Sequence, residues 1–210
     1  MHVYFVRHGA TRESENHTHQ SPNASLSPKG NEQASSVAEY LRSVNPDIIL
    51  SSEYTRALET ARIIGMRVGR VPVTNGLFYE IMRPSKLYGQ SVFGIETLWY
   101  VVLSVLHHKN PAWRYADAEN FCEISRRAER ALEYLKNSQG TYASVVVVSH
   151  TVFINLMVAY MCKNRLLGML DLVRTFFHIE RMKNGEVIHL EYRGNATTNT
   201  CSWYVITENE

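Results

Sequence analysis

The feature that most constrains the fold is a run of four consecutive valines at positions 145–148. An unbroken β-branched run is typical of a strand covered on both faces, as in the middle of a parallel sheet. The mostly apolar residues 151–162 follow it and predict a buried helix. Ser149 and His150 separate the two stretches, and each is too short to span a bilayer. The pattern therefore predicts the centre of an α/β sheet.

Two more strand-and-helix units precede this one. Residues 3–6 predict a short buried strand, and residues 48–50 predict another. Ser27 followed by Pro28 marks the start of a helix, because Ser caps helices and Pro suits the first turn. The apolar faces of the two intervening helices are predicted to consist of Ala34, Val37, Ala38, Leu41 and Val44, and of Ala57, Leu58, Ala61, Ile64 and Val68.

The rest of the chain contains a less regular segment, residues 78–121, within which residues 98–106 are expected to be helical. A further helix is indicated by Ile124, Ala128, Ala131, Leu132 and Leu135. Residues 176–192 are typical of a hairpin turning at Asn184-Gly185, and residues 203–206 of an edge strand. The expected fold is one α/β domain over residues 1–210, a three-layer α/β/α sandwich with a mostly parallel sheet, carrying a lid-like insert at about 78–121.

Composition narrows the classes of function. The 22 basic and 20 acidic residues give a net charge of +2, too small for a broad nucleic-acid surface. Cys122, Cys162 and Cys201 lie far apart without metal-ligand spacing, which is typical of a reducing compartment. The start of the chain lacks the pattern of a signal peptide, so we expect a cytoplasmic protein. The histidines at 17, 19, 107 and 108 have no third ligand at helical spacing, so we expect neither a metal nor a cofactor.

Polar side chains follow each of the three predicted strands. They are Arg7-His8 after the first strand, Arg56 shortly after the second and His150 after the third. Ligands of open α/β sheets bind beyond the carboxyl ends of the strands, so these groups should converge if the strands are parallel neighbours. Arginine forks match phosphate oxygens, and a neutral imidazole can attack phosphorus. The sequence therefore predicts a phosphoryl site at this edge.

Four segments in order resemble the histidine phosphatase (phosphoglycerate mutase-like) superfamily. Residues 7–9 match its Arg-His-Gly signature, and residues 26–34 resemble its Leu-Thr-x-x-Gly-x-x-Gln-Ala segment. Residues 51–61 resemble its Ser-Ser-x-x-x-Arg-Ala-x-x-Thr-Ala segment, and residues 148–150 resemble its second-histidine strand end. The resemblance implies the phosphoglycerate mutase-like sandwich, with one antiparallel strand in the sheet.

The resemblance also implies roles for individual residues. His8 would be the nucleophile that becomes phosphohistidine, and Arg7, Arg56 and His150 would surround the phosphoryl group. Some branches carry an acid directly after the second histidine, whereas Thr151 and Val152 stand there in this chain. The other branches place a Glu after the second helix, which makes Glu80 the expected general acid and then base, with Glu13 as runner-up. The wider substrate-binding set would comprise Arg7, Thr11, Ser14, Asn16, Arg56, Arg83 and Thr151.

The resemblance implies a metal-independent hydrolase of small-molecule phosphate monoesters, with no nucleic-acid or membrane partner. The chain lacks the mutases' Glu-Arg-His-Tyr-Gly segment, and Ala10 replaces the Glu often found after Arg-His-Gly. A phosphatase is therefore favoured over a phosphoglycerate mutase-type phosphomutase. A protein phosphohistidine or phosphotyrosine phosphatase and a non-catalytic phospho-ligand module are further alternatives. Aromatic residues of the insert are expected to line a lid, form a satellite core or face a homodimer partner: Tyr79, Tyr88, Phe93, Trp99 and Tyr100.

Overall fold

The computed structural model describes residues 1–161, 182–194 and 201–206. These ranges contain a six-stranded sheet in the order β3-β2-β4-β1-β5-β6. The strands are β1 (His2–Arg7), β2 (Ile48–Ser51), β3 (Val73–Thr74), β4 (Ser144–Ser149), β5 (Val187–Tyr192) and β6 (Trp203–Val205). Cys162 and the first half of the predicted hairpin, residues 176–181, lie outside the described residues.

The valine run lies in β4, which has β2 on one side and β1 on the other. β4 runs parallel to both neighbours, and β2 runs parallel to β3. β5 is antiparallel to both β1 and β6. Within the described part of the chain, the sheet is therefore mostly parallel with one reversed strand, which confirms the predicted fold class.

Six α-helices are described: α1 (Arg12–Glu15), α2 (Pro28–Val44), α3 (Thr55–Val68), α4 (Ile95–Leu106), α5 (Phe121–Asn137) and α6 (Thr151–Met161). The predicted start of α2 is confirmed, since the side chain of Ser27 accepts a hydrogen bond from the Gly30 amide at 3.1 Å. The helix ends at Asn45, which adopts the left-handed conformation just before Pro46. No helix in the described ranges is both long and apolar enough to cross a membrane.

Helices cover both faces of the sheet. Val145 and Val147 pack on one face in a cluster with residues of α5 and α6. Val146 and Val148 pack on the other face with residues of α2 and α3. Because side chains alternate along a strand, a strand buried on both faces needs apolar residues at every position. This requirement explains the unbroken valine run.

The insert, residues 78–121, has a much smaller buried cluster of its own than the sandwich has. It contains a 3₁₀ turn at Ser85–Leu87 and helix α4. Its own buried cluster consists of Leu87, Tyr100 and Ala118. Phe93 and Trp99 are exposed, at 75% and 54% of their surface. The expectation of a satellite core is therefore met at Tyr100 and not at Phe93 or Trp99.

Candidate active site

The carboxyl ends of β1, β4 and β2 meet at one edge of the sheet. In the register of β1 and β4, Arg7 lies opposite Ser149. One residue further on, the His8 amide still donates to the Ser149 carbonyl at 3.1 Å. As a result His8 and His150 are neighbours, with ring centroids 5.0 Å apart. The predicted convergence of the two histidines is thus observed.

His8 is buried and has a defined tautomer. Its Nδ1 lies 2.7 Å from the carbonyl oxygen of Gly9. A carbonyl can only accept, so Nδ1 carries the proton and Nε2 keeps its lone pair. Burial, and then the positive charges of Arg56 and Arg7, lower the pKa of His8 well below its usual value. The sequence could not identify this partner, because it is a backbone atom.

Two close backbone approaches fix the loop that carries His8. A Cβ atom on Gly9 would lie 2.3 Å from the Gly30 carbonyl oxygen, and one on Gly30 would lie 2.0 Å from the Ala10 carbonyl oxygen. The side chain of Gln33 accepts from the Ala10 amide at 2.8 Å. Only glycine fits such contacts. They give a physical reason for the Gly and Gln of the segment at residues 26–34.

Arg56 lies in the first turn of α3, and its guanidinium is almost fully buried. Its Nε donates to Nε2 of His8 at 3.1 Å, and its Nη1 donates to the Ser21 carbonyl at 2.9 Å. Burial lowers the pKa of Arg56 to about 10, an effect partly opposed by the nearby carboxylate of Glu80. The guanidinium therefore stays charged at neutral pH, beside the atom of His8 that bears the lone pair.

Arg7 and His150 each present a nitrogen with no hydrogen-bond partner in the described structure: Nε of Arg7 and Nδ1 of His150. Nη1 of Arg7 donates to the carbonyl of Met182. Nε2 of His150 lies 2.8 Å from the hydroxyl of Ser52. Burial and the charge of Arg56 lower the pKa of His150 well below its usual value. Buried polar atoms are nearly always satisfied, so these two nitrogens are suited to a ligand.

Glu80 is also buried, at 6% exposure. Its Oε1 accepts from the Ile81 amide at 3.1 Å and from the Phe153 amide at 3.2 Å. The Phe153 amide belongs to the first turn of α6, where helix amides lack partners within the helix. Burial lowers the pKa of Arg7 and of Arg56, and the negative charge of Glu80 opposes this effect at both arginines.

The remaining residues of the predicted substrate-binding set differ in their burial and in their hydrogen bonds. In a capping box at the start of α1, the Ser14 hydroxyl donates to the Thr11 carbonyl and the Thr11 hydroxyl accepts from the Ser14 amide. Asn16 is exposed at the end of that helix. The hydroxyl of Thr151 is buried without a partner among the described residues. Arg83 is half-buried, and its charge lowers the pKa of Arg7, Arg56 and His150.

Sequence reasoning missed two polar residues of the site region. Ser52 follows β2 and is the partner of His150. Arg127 lies on α5, where it contacts the backbone next to Glu80. The signal for Arg127 is its position on the apolar face of α5, between Ile124 and Ala131 at helical spacing. In the described ranges, no three His, Cys, Asp or Glu side chains are grouped to hold a metal ion.

Comparison with known proteins identifies relatives of this chain. A phosphatase of adenosylcobalamin and α-ribazole substrates from Escherichia coli is 29% identical over 177 residues, which cover 80% of each chain. A protein of Enterobacter sp. named "Probable phosphoglycerate mutase" is 29% identical over 163 residues, covering 76% of this chain and 74% of that protein.

A solved structure shares the fold. The mycobacterial glucosyl-3-phosphoglycerate phosphatase superposes with a TM-score of 0.75 at 21% identity, covering 99% of this chain and 98% of that one. The family model described as the histidine phosphatase superfamily (branch 1) matches residues 3–202. The protein described here belongs to the histidine phosphatase superfamily, branch 1.

Proposed function

We propose that this protein hydrolyses small phosphate monoesters in two in-line steps, through a phosphohistidine at His8 and without a metal. The observation that carries the proposal is the contact between Nδ1 of His8 and the carbonyl oxygen of Gly9. Its Nδ1–H donates to the Gly9 carbonyl, which leaves the Nε2 lone pair for attack. The low pKa of this histidine keeps the nucleophile unprotonated at neutral pH.

In the first step, Nε2 of His8 forms a bond to phosphorus while the bond from phosphorus to the ester oxygen breaks. Arg56 and Arg7 would donate to the phosphoryl oxygens, where negative charge develops. The free Nδ1 of His150 and the hydroxyl of Thr151 lie at the same edge and are available for the same oxygens. The Arg56 Nε–H now directed at His8 Nε2 would turn to the phosphoryl group.

Glu80 is assigned to proton transfer. Once its carboxylate has taken up a proton on substrate binding, Glu80 would protonate the departing ester oxygen in the first step, and the resulting carboxylate would then take a proton from the attacking water. Water attack breaks the bond between Nε2 and phosphorus and releases phosphate. Burial beside Arg7 and Arg56, and a position fixed by two backbone amides, support this assignment over Glu13.

Rapid quenching with a ³²P-labelled ester tests the nucleophile. We expect wild type to trap an acid-labile phosphoenzyme, and His8→Ala to lose both this intermediate and turnover. Persistent turnover in His8→Ala would contradict the mechanism. For Glu80→Gln, we expect a far larger loss with an alkyl phosphate than with a nitrophenyl phosphate, because the latter needs no proton to leave.

A phosphomutase is the second candidate, because one relative bears the name of a probable phosphoglycerate mutase. The two activities differ in the acceptor of the phosphoryl group, which is water in one case and a second hydroxyl in the other. Incubation with 3-phosphoglycerate distinguishes them by product. We expect free phosphate, and accumulation of an isomeric phosphoglycerate would instead assign a mutase.

A further inference from the structure

Glu80 lies in a segment without regular secondary structure. Residues 77–82 form neither helix nor strand. Buried backbone groups in such a segment must find hydrogen-bond partners elsewhere. The position of the Glu80 carboxylate therefore depends on the side chains that bind the segment.

A buried ion pair lies directly behind this segment. Nε and Nη2 of Arg127 donate to the two carboxylate oxygens of Glu119 at 2.9 and 2.7 Å. Both side chains are at most 7% exposed. Such a two-pronged contact fixes the plane of the guanidinium as well as its distance. Arg127 belongs to α5 of the sandwich, whereas Glu119 belongs to the insert.

The third arginine nitrogen binds the backbone just before Glu80. Nη1 of Arg127 donates to the carbonyl of Tyr79 at 2.7 Å and to the carbonyl of Leu77 at 3.3 Å. The Tyr79 carbonyl is part of the peptide bond that leads into Glu80. Rotation of that peptide plane would move the Glu80 side chain, so this hydrogen bond restricts the acid directly.

Glu119 binds the other end of the segment. Its amide donates to the carbonyl of Met82 at 3.0 Å. Its carboxylate accepts from the Met82 amide at 3.4 Å and from the Tyr79 hydroxyl at 3.3 Å. The ion pair thus binds the chain on both sides of Glu80.

Arg127 also contacts the residue that donates to Glu80. Its guanidinium lies 3.7 Å from the centroid of the Tyr79 ring and 4.2 Å from that of the Phe153 ring. The Phe153 amide is one of the two donors to Glu80 Oε1. One guanidinium is therefore packed against both the segment that carries the acid and the helix turn that binds it.

Stability alone does not account for this arrangement, because a buried ion pair contributes little net free energy of folding compared with apolar residues of similar volume. We propose that Arg127 and Glu119 are positioning residues that orient Glu80 for proton transfer to the leaving group. This inference rests on the proposed role of Glu80. It implies that α5 of the sandwich contributes to the acid step through Arg127, although the acid itself lies in the insert.

A double-mutant cycle tests the proposal. The variants are Arg127→Met, Glu80→Gln and the combination, and the control is Arg130→Met, an exposed arginine on the same helix. Turnover is measured with an alkyl phosphate and with a nitrophenyl phosphate. We expect Arg127→Met to lower kcat about tenfold or more for the alkyl ester and less than about threefold for the nitrophenyl ester, as a misplaced acid requires. In the Glu80→Gln background, Arg127→Met should have almost no further effect, while Arg130→Met behaves as wild type.

The outcomes separate the two proposals. If Glu80→Gln itself shows no preference between esters, the assignment of the acid fails, and the positioning proposal fails with it. Two results would overturn only the positioning proposal, provided that Glu80→Gln shows the preference. One is that Arg127→Met lowers the turnover of both esters equally. The other is that the losses of turnover caused by Arg127→Met and Glu80→Gln multiply in the double variant. Inhibition by orthovanadate monitors the phosphoryl pocket and should stay unchanged in Arg127→Met.

Arg127→Met leaves the charge of Glu119 buried without a partner, which can prevent folding. In that case Glu119→Gln decides the question by the same readouts, since it keeps the shape and one acceptor oxygen but removes the charge. Arg127→Lys keeps the charge but lacks the planar fork, so we expect a leaving-group dependence between those of wild type and Glu119→Gln. Wild-type behaviour of a folded Glu119→Gln variant would overturn the proposal.

Discussion

The sheet edge and the insert are built in different ways. At the edge, His8 and His150 directly follow neighbouring parallel strands, and the ladder hydrogen bonds continue to the amide of His8. In the insert, the buried cluster comprises three residues, and several large apolar side chains are exposed. The residues proposed to bind the phosphoryl group therefore lie at or near strand ends, whereas the proposed acid, Glu80, lies in an irregular segment of the insert. The insert is bound to the preceding part of the chain by polar contacts, such as the hydrogen bond between His19 and Thr97 at 2.7 Å.

After the loss of turnover expected for His8→Ala, the largest expected effect concerns Arg56, a charged group at the sheet edge. Replacement of Arg56 by Met removes a buried donor beside His8, so kcat/KM should fall roughly 10³-fold, or about 4 kcal/mol of transition-state stabilisation. Steady-state kinetics measures the loss, and the melting temperature reports on folding. The exposed Arg62→Met on the same helix serves as the control. A loss below tenfold would show that Arg56 does not bind the phosphoryl group.

Truncation of one buried leucine in each region tests the difference between the sandwich and the insert. Leu41 and Leu87 are both fully buried, the first in the sandwich and the second in the insert. Leu41→Ala should lower the free energy of unfolding by about 3–4 kcal/mol, since it leaves a cavity in the main core. Leu87→Ala should lower the free energy of unfolding of the whole protein by less, but it should open the insert locally. Urea denaturation measures the free energy of unfolding of each variant, and limited proteolysis detects local opening of the insert. Equal losses of free energy in the two variants, without new cleavage sites in Leu87→Ala, would contradict the expected difference.

A steric test addresses the loop of His8. Gly30→Ala would place a methyl group 2.0 Å from the Ala10 carbonyl oxygen, where only backbone can yield. We expect a loss of about 2–3 kcal/mol in the free energy of unfolding, together with reduced turnover. Gly76→Ala is the matched control, because its nearest neighbour is the flexible side chain of Glu53 at 3.2 Å. Unchanged stability in Gly30→Ala would mean that the loop relaxes without cost.

The smallest expected effect is a pH dependence at the contact between His19 and the insert. Burial, and then the charge of Arg83, lower the pKa of His19 to about 4. Between pH 6.5 and 4 the unfolded state binds a proton that the folded state does not, so this histidine makes stability fall as pH falls. His19→Gln should reduce that decline by at most about 1 kcal/mol per pH unit. Urea titrations at pH 7 and 5 measure the free energy of unfolding of wild type, of His19→Gln and of the control His17→Gln, which replaces an exposed histidine. The same change of this free energy with pH in all three proteins would exclude the effect.

Much of the sandwich could be predicted from local patterns. The valine run and the amphipathic spacing of α2, α3 and α5 each depend on residues close in the chain. The two-residue strand β3 and the four-residue helix α1 were missed because neither is long enough to show a period. At the site, the edge rule brought together His8, Arg56 and His150. The roles of these residues, and of Arg7 and Glu80, stay predictions until the variants are measured.

Other features of the site could not be predicted, because they depend on contacts between atoms that local sequence patterns do not reveal. The tautomer of His8 is set by a backbone carbonyl, and the environment of Glu80 by an amide in α6. The capping box between Thr11 and Ser14 engages two hydroxyls that the family resemblance assigned to substrate. Arg127 is visible in the sequence only as a charge on an apolar helix face, and its partner Glu119 gives no signal at all.

The register of β1 and β4 has a consequence for how such a site can diversify. His8 and His150 each come directly after one member of the register pair formed by Arg7 and Ser149. Adjacent strands are separated by about 4.8 Å in any sheet, close to the 5.0 Å between the two rings. The register of the sheet therefore brings the two histidine backbones side by side, and their side-chain rotamers set the final ring geometry. Loops can be lengthened, shortened or exchanged around this edge while the two histidines keep their places at adjacent strand ends.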